Sequence, residues 1–271
     1  MHAQSTGSAP RRQLDLDYKL DGGIGYSTHI GMVVLDCDQT LSYEAREMLT
    51  LPGVALYESR ITTGDGGKQR LTTDHLREVF NGLDSAISQI NTRRPSDVVA
   101  LGCTSAAMVI GAEELERRVR SVHPKAVVTD PFKAILAALN TLSASRVGYI
   151  SPYPAEVAEK MVAQIEEAGY LVPIAGTYHS GAFVKENAPY VSPESIESSV
   201  VRFVESADLD TVVVSCTQMR AAAVIEKLER QTGKFILTSN QALCWHALRL
   251  AGYVDSVDGW GRLFQMRLRQ D

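Results

Sequence analysis

The chain has 271 residues, 45% apolar and 22% charged, enough for the core of one large globular domain or two ordinary ones. A net charge of −5 and a pI near 5.7 give no basic footprint for nucleic acid, and no apolar run approaches the ~20 residues that cross a bilayer. Residues 1–23 are polar, lack the apolar stretch of an export signal and read as a flexible extension.

The first apolar run, Ile30 to Leu35, suits a strand buried on both faces of a parallel sheet. A helix is predicted over 43–51, a strand over 54–61, and a mobile loop at Gly64-Asp65-Gly66-Gly67. Thr73-Asp74 would then cap a long amphipathic helix carrying Leu76, Val79, Phe80, Leu83, Ile87 and Ile90. After it come a strand ending at Cys103, a helix to about 122, a strand at 126–129 and a helix at 131–142 that opens on proline. The same order recurs: strand 147–150, helix 155–168, strand 171–175, a long connection 176–192, helix 193–205, a strand ending at Cys216, helix 218–231, strand 234–238 and helix 240–250.

The recurrence is a repeat in residues as well as in order. Asp97-Val98-Val99-Ala100-Leu101-Gly102-Cys103-Thr104 matches Asp210-Thr211-Val212-Val213-Val214-Ser215-Cys216-Thr217, and Leu-Glu-Arg follows each cysteine at the same distance, at 115–117 and 228–230. Strand alternating with helix throughout predicts an α/β fold with parallel sheets. Residues 1–25 are the extension, 26–130 a first α/β domain completed by 240–271, and 131–239 a second domain repeating the first. In parallel sheets the ligand site lies beyond the carboxyl ends of the strands. The two halves are therefore expected to face each other across a cleft, with Cys103 and Cys216 on opposite sides of one bound molecule.

A cysteine at a strand-to-helix junction is placed for reactivity, because the free N–H groups of the helix start favour a thiolate and lower its pKa. Thr104, Ser105, Thr217 and Gln218 share these junctions and can add hydrogen bonds. Two opposed thiols suit proton removal from one face of a carbon and return to the other, or thiolate addition to a double bond followed by rotation and elimination. Neither scheme needs a cofactor or a metal. Asp38 is a candidate for bonding substrate or, alternatively, for capping a helix. Tyr153 can donate its hydroxyl to a carboxylate, or fill a turn between prolines. Asn187 is a candidate contact in a polar connection, His179 a candidate assistant, and Ser239-Asn240-Gln241 a helix cap that could touch substrate. Cys37 and Cys244 read as packing residues. Four cysteines without a CxxC pair make neither a disulfide framework nor a zinc site. Thiols that stay reduced point to the cytoplasm. A metabolite-binding protein with passive thiols is the alternative from outside the enzymes.

Paired Cys-Thr strand ends in a duplicated α/β chain resemble the aspartate/glutamate racemase superfamily. Ile30 to Glu47, Ser151-Pro152-Tyr153-Pro154 and Thr238-Ser239-Asn240-Gln241-Ala242 resemble its branch of maleate cis-trans isomerases and arylmalonate decarboxylases, with the ectoine-utilisation protein as nearest relative. The resemblance implies two pseudo-symmetric flavodoxin-like domains, a site in the cleft between them, a small carboxylate as substrate, and a homo-oligomer. It implies Cys103 as nucleophile, Cys216 as proton donor, and Tyr153 and Asn187 as carboxylate ligands. The isomerases carry asparagine where this chain has Asp38, which points away from maleate and toward an amine-bearing substrate, as in an amino-acid racemase of ectoine catabolism. The decarboxylases lack the first cysteine, so Cys103 argues against that reaction.

Overall fold

A computed structural model describes residues 11–63, 80–104, 107, 110–178 and 185–269. Two four-stranded sheets, parallel throughout, form its frame. The first contains β1 (Thr28–Leu35), β2 (Val54–Ile61), β3 (Val98–Gly102) and β4 (Val127–Thr129) in the order β2-β1-β3-β4. The second contains β5 (Arg146–Ser151), β6 (Leu171–Thr177), β7 (Thr211–Val214) and β8 (Phe235–Thr238) in the equivalent order β6-β5-β7-β8. Even the register repeats: Gly31 stands opposite Val99, and Gly148 opposite Val212.

The acidic residue opening each cysteine strand fixes that register. Asp97 Oδ2 accepts the backbone N–H of His29 at 2.8 Å. Asp210 Oδ2 accepts that of Arg146 at 2.9 Å. Each carboxylate satisfies a donor at the start of the neighbouring strand, where the ladder has no partner to offer.

Among the described residues the helices with both ends placed are α1 (Leu41–Leu49), α2 (Leu83–Ser88), α3 (Ala112–Val122), α4 (Pro131–Thr141), α5 (Ala155–Glu167), α6 (Pro193–Ser206), α7 (Ile225–Thr232) and α8 (Ser239–Leu250), and Thr104, Ala107 and Ile110 are helical as well. Pro131 opens α4 with Asp130 accepting from the N–H groups of Phe132 and Lys133. Thr238 and Gln241 form a capping box at α8. Helix α8 is buried from Ser239 to Arg249 and packs on α4, α1, β3 and β4. It thereby carries the chain from the second sheet back onto the first. No described helix is long and apolar enough to cross a membrane.

Two expectations need correction. The helix predicted over 218–231 does not start after Cys216. Residues 217–221 form a turn, Ala222–Val224 a 3-10 helix, and α7 begins at Ile225. The reason is that polar groups of this loop are taken by side chains from elsewhere: Gln218 O by Thr40 Oγ1, Thr217 O by Asn240 Nδ2, and Ala222 N by Glu44 Oε1. The strand expected over 171–175 runs on to Thr177, and in the connection after it Lys185–Tyr190 is a 3-10 helix, with 179–184 outside the described residues. Of the helix predicted from 73, the described part is a 3-10 turn at Phe80–Gly82 followed by α2, with Phe80, Leu83, Ile87 and Ile90 buried. The expected loop at 64–67 lies outside the described residues.

Candidate active site

β3 ends at Gly102, one residue before Cys103, and β7 at Val214, two before Cys216. At Gly102 a Cβ would strike Leu41 Cδ2 and stand 3.0 Å from Val33 O. Glycine therefore lets the first residue of α1 pack on the end of β3, which brings the 38–41 turn beside Cys103. Cys216 has φ +152°, a conformation L side chains rarely adopt. Such strain persists only where surrounding bonds hold it, and it concentrates at functional sites. Here Ser239 Oγ accepts the backbone N–H of Cys216 at 3.0 Å and lies 3.2 Å from Thr104 Oγ1. Ser239 thus ties the second cysteine to the residue that follows the first.

Cys103 is 7% exposed and Cys216 8%. The Tyr153 hydroxyl and the Gln218 backbone N–H both donate to the Cys216 sulfur. Cys103 lies close enough that a charge on its sulfur opposes ionisation of both Cys216 and Tyr153. Burial, helped by the nearby Asp38 and Cys103, outweighs those two hydrogen bonds and pushes the Cys216 thiol up to about 12. The lowering expected at Cys216 is therefore reversed by burial, and no helix starts there to oppose it. Burial also raises Tyr153 well above the ordinary phenol value, so its hydroxyl stays protonated and remains a donor.

Beneath the sulfurs runs a buried polar network joining distant parts of the chain. Asp38 Oδ1 accepts the backbone N–H groups of Thr40 and Leu41, each at 2.8 Å. Its Oδ2 accepts the Thr217 hydroxyl at 2.8 Å. Asn240 Nδ2 donates to Glu44 Oε2 at 2.7 Å and to Thr217 O at 2.9 Å. Three side chains of the β1–α1 region (Asp38, Thr40 and Glu44) and one of α8 thus hold the loop carrying Cys216.

Burial raises the Glu44 carboxyl to about 7, against hydrogen bonds from Asn240 and Ala222 that lower it. The folded pKa lies above the unfolded one, so the folded chain binds the extra proton. The stability this gives is complete below about pH 4.5 and is lost as pH rises through 7. Glu44→Gln should remove a loss of roughly 3 kcal/mol across that window. Urea unfolding of both proteins from pH 5 to 8 measures it; parallel stability curves would contradict the assignment.

The sequence candidates separate into three groups. Cys103, Cys216, Tyr153 and Asp38 come together. Thr104, Thr217 and Gln218 adjoin them but spend their groups on the protein: the Thr104 hydroxyl faces Ser239, the Thr217 hydroxyl bonds Asp38, and Gln218 contributes its backbone. Asp38, expected to meet substrate, likewise gives both its oxygens to protein donors. Asn187 is exposed in the 3-10 helix, while Ser105 and His179 lie outside the described residues. Glu44 and Asn240 were not singled out as a pair. The available signal was Glu44 lying on the apolar face made by Leu41, Ala45 and Met48. Tyr149, fully buried with its hydroxyl facing Ser215 and Ser151, backs the Cys216 side of the site.

Comparison with known proteins places this arrangement. The family model described as arylmalonate decarboxylase matches residues 50–264. The maleate isomerase of Nocardia farcinica is 26% identical over 256 residues, covering 89% of this chain and 96% of the relative. Maleate isomerase Iso from Pseudomonas putida S16 superposes with a TM-score of 0.76 at 20% identity, over 88% of this chain and 98% of that one. The Nocardia farcinica maleate cis-trans isomerase, as a cysteine-to-serine variant with a covalently bound succinylcysteine intermediate, gives 0.74 at 23% identity, over 88% and 98%. These structures share the α/β fold with two parallel sheets. Matched by the family model over most of its length, the chain belongs to the arylmalonate decarboxylase family, which is a family of enzymes.

Proposed function

We propose that the protein is a cofactor-independent isomerase of a small unsaturated dicarboxylate such as maleate. The observation that carries this reading is the convergence of Cys103 and Cys216, from equivalent positions of the two repeats, on the Tyr153 hydroxyl. The thiolate of Cys103 adds to one carbon of the double bond, and the π electrons pass to the other carbon. The neutral Cys216 thiol protonates that carbon. A high thiol pKa suits this task, since the proton must stay on sulfur until a strongly basic carbon forms. The new single bond rotates, Cys216 takes its proton back, and the electrons returning to the double bond expel the Cys103 thiolate. Tyr153 keeps a donor beside the Cys216 sulfur whenever that sulfur is ionised. The succinylcysteine intermediate of the Nocardia farcinica isomerase is the same kind of adduct.

An amino-acid racemase, the other reading of the sequence, asks for an acidic group turned toward an amine. Asp38 bonds Thr40, Leu41 and Thr217 with its two oxygens, which favours the dicarboxylate and makes Asp38 a positioning residue. Proton NMR of maleate with the purified protein tests the reading. Fumarate should appear, and no conversion of maleate, alongside racemisation of an amino acid or its N-acyl derivative, would overturn it.

A further inference from the structure

The extension ahead of β1 has a pattern that the candidate active site does not use. Leu14, Leu16, Tyr18 and Leu20 alternate with Asp15, Asp17, Lys19 and Asp21, the period-two pattern of a strand with one apolar and one charged face. Yet residues 11–21 have no ladder partner, and Leu14, Leu16, Tyr18 and Leu20 are 64–88% exposed. Ile24 and Tyr26, just after them, are 75% and 63% exposed. Isolated exposed leucines are ordinary, but a contiguous apolar stripe marks an interaction surface.

The same chain supplies a receptor for it. Among the described residues β2 pairs only with β1, so it forms an edge of the first sheet whose outward N–H and C=O groups are open to another strand. Along this edge runs a groove of about 960 Å³ walled by Ile24, Tyr26, Leu49, Leu51, Val54 and Leu56. Arg46 and Glu58 stand at its rim as an ion pair, so the groove carries no free charge of its own and its apolar wall is what it offers a strand. β2 has eight residues, and the alternating segment 14–21 is equally long.

We propose that residues 14–21 form an exchanged arm that pairs with β2 of a second copy of this chain, its apolar face in that copy's groove. Arm and groove on one polypeptide make the exchange reciprocal about a twofold axis, closing at two copies. The foot of each arm, Ile24 and Tyr26, lines the groove that receives the other arm, so the two crossings form one continuous interface. Six large apolar side chains at ~150 Å² each offer roughly 900 Å² per chain, against the about 800 Å² per partner of a stable interface. Strand addition supplies the backbone hydrogen bonds and the alternate side chains supply the fit.

Analytical ultracentrifugation of the full chain tests the exchange. Leu16→Asp with Tyr18→Asp lies on exposed residues and leaves the fold untouched. The double variant should sediment at half the mass of the parent, its association weakened about 100-fold or more. Asp15→Ser with Asp17→Ser, on the other face, should keep the parental mass. Leu56→Asp in the groove wall should dissociate the protein as the arm variant does. An arm variant with the parental mass, or a parent that is monomeric at tens of micromolar, overturns the proposal. Turnover per chain is expected to survive in the arm variant, because the groove lies at the start of β2 and the cysteines lie beyond the ends of β3 and β7.

Discussion

Cys103→Ala and Cys216→Ala are each expected to lower kcat/KM by about three decades or more while far-UV circular dichroism stays unchanged. The cause differs between them. Without Cys103 no bond to the substrate carbon forms, so rotation about the double bond keeps its full barrier. Without Cys216 the adduct still forms, but only water can deliver the proton, and turnover stalls at the thioether. Cys103→Ala removes one buried sulfur and should cost about 1 kcal/mol of stability; Cys216→Ala also takes the acceptor from the Tyr153 hydroxyl and the Gln218 N–H and should cost roughly 2–3 kcal/mol. Normal turnover in both variants would end the two-thiol account.

Asp38→Ala is expected to be the most damaging change among the residues that tie the Cys216 loop to the rest of the chain. It strands three buried donors at once: the N–H groups of Thr40 and Leu41 and the hydroxyl of Thr217. Unsatisfied buried donors cost about 1–3 kcal/mol each, part of which local rearrangement recovers, so a net loss of roughly 3–4 kcal/mol is expected. The loop bearing Cys216 also loses a tie to α1, and turnover should fall about 100-fold because the sulfur is no longer held in place. Asp38→Asn is the informative control. Its amide oxygen can still accept from Thr40 and Leu41, and its amide nitrogen can donate to the Thr217 oxygen. Most of the stability and turnover should return, whereas a residue needed for its charge would show no rescue. Thermal unfolding and steady-state rates of the two variants decide between these roles.

The frame of the protein was open to reading from the chain because it rests on local pattern. The apolar runs at 30–35 and 211–214, the alternation of strand with helix and the repeated Asp-to-Cys segment specify the strands, their parallel sheets and the duplication from short windows of sequence. Even the pairing of Cys103 with Cys216 follows from the duplication. The loop after Cys216 was misread for the opposite reason. Its residues 218–231 have good helix propensity, but its turn is held by partners 178 and 179 residues away in sequence, through Glu44 to Ala222 and Asp38 to Thr217. No window of sequence contains both ends of such a bond. The chemistry differs accordingly, since the Cys216 thiol is buried with no helix start behind it and its pKa is raised rather than lowered. Asp38 was ambiguous between cap and ligand, and only the identity of its donors separates the two. Asn187 looked equally suited to a solvated position or to the site, and it is exposed.

The central claim is that Cys103 makes the bond to carbon while Cys216 moves the proton. Intact-protein mass spectrometry of Cys216→Ala after incubation with maleate tests it most directly. The account predicts a gain of one maleate per chain, mapped by peptide analysis to Cys103 and absent from Cys103→Ala. A Cys216→Ala protein that stays unmodified while the parent converts maleate to fumarate, or an adduct mapped to any other residue, would contradict it.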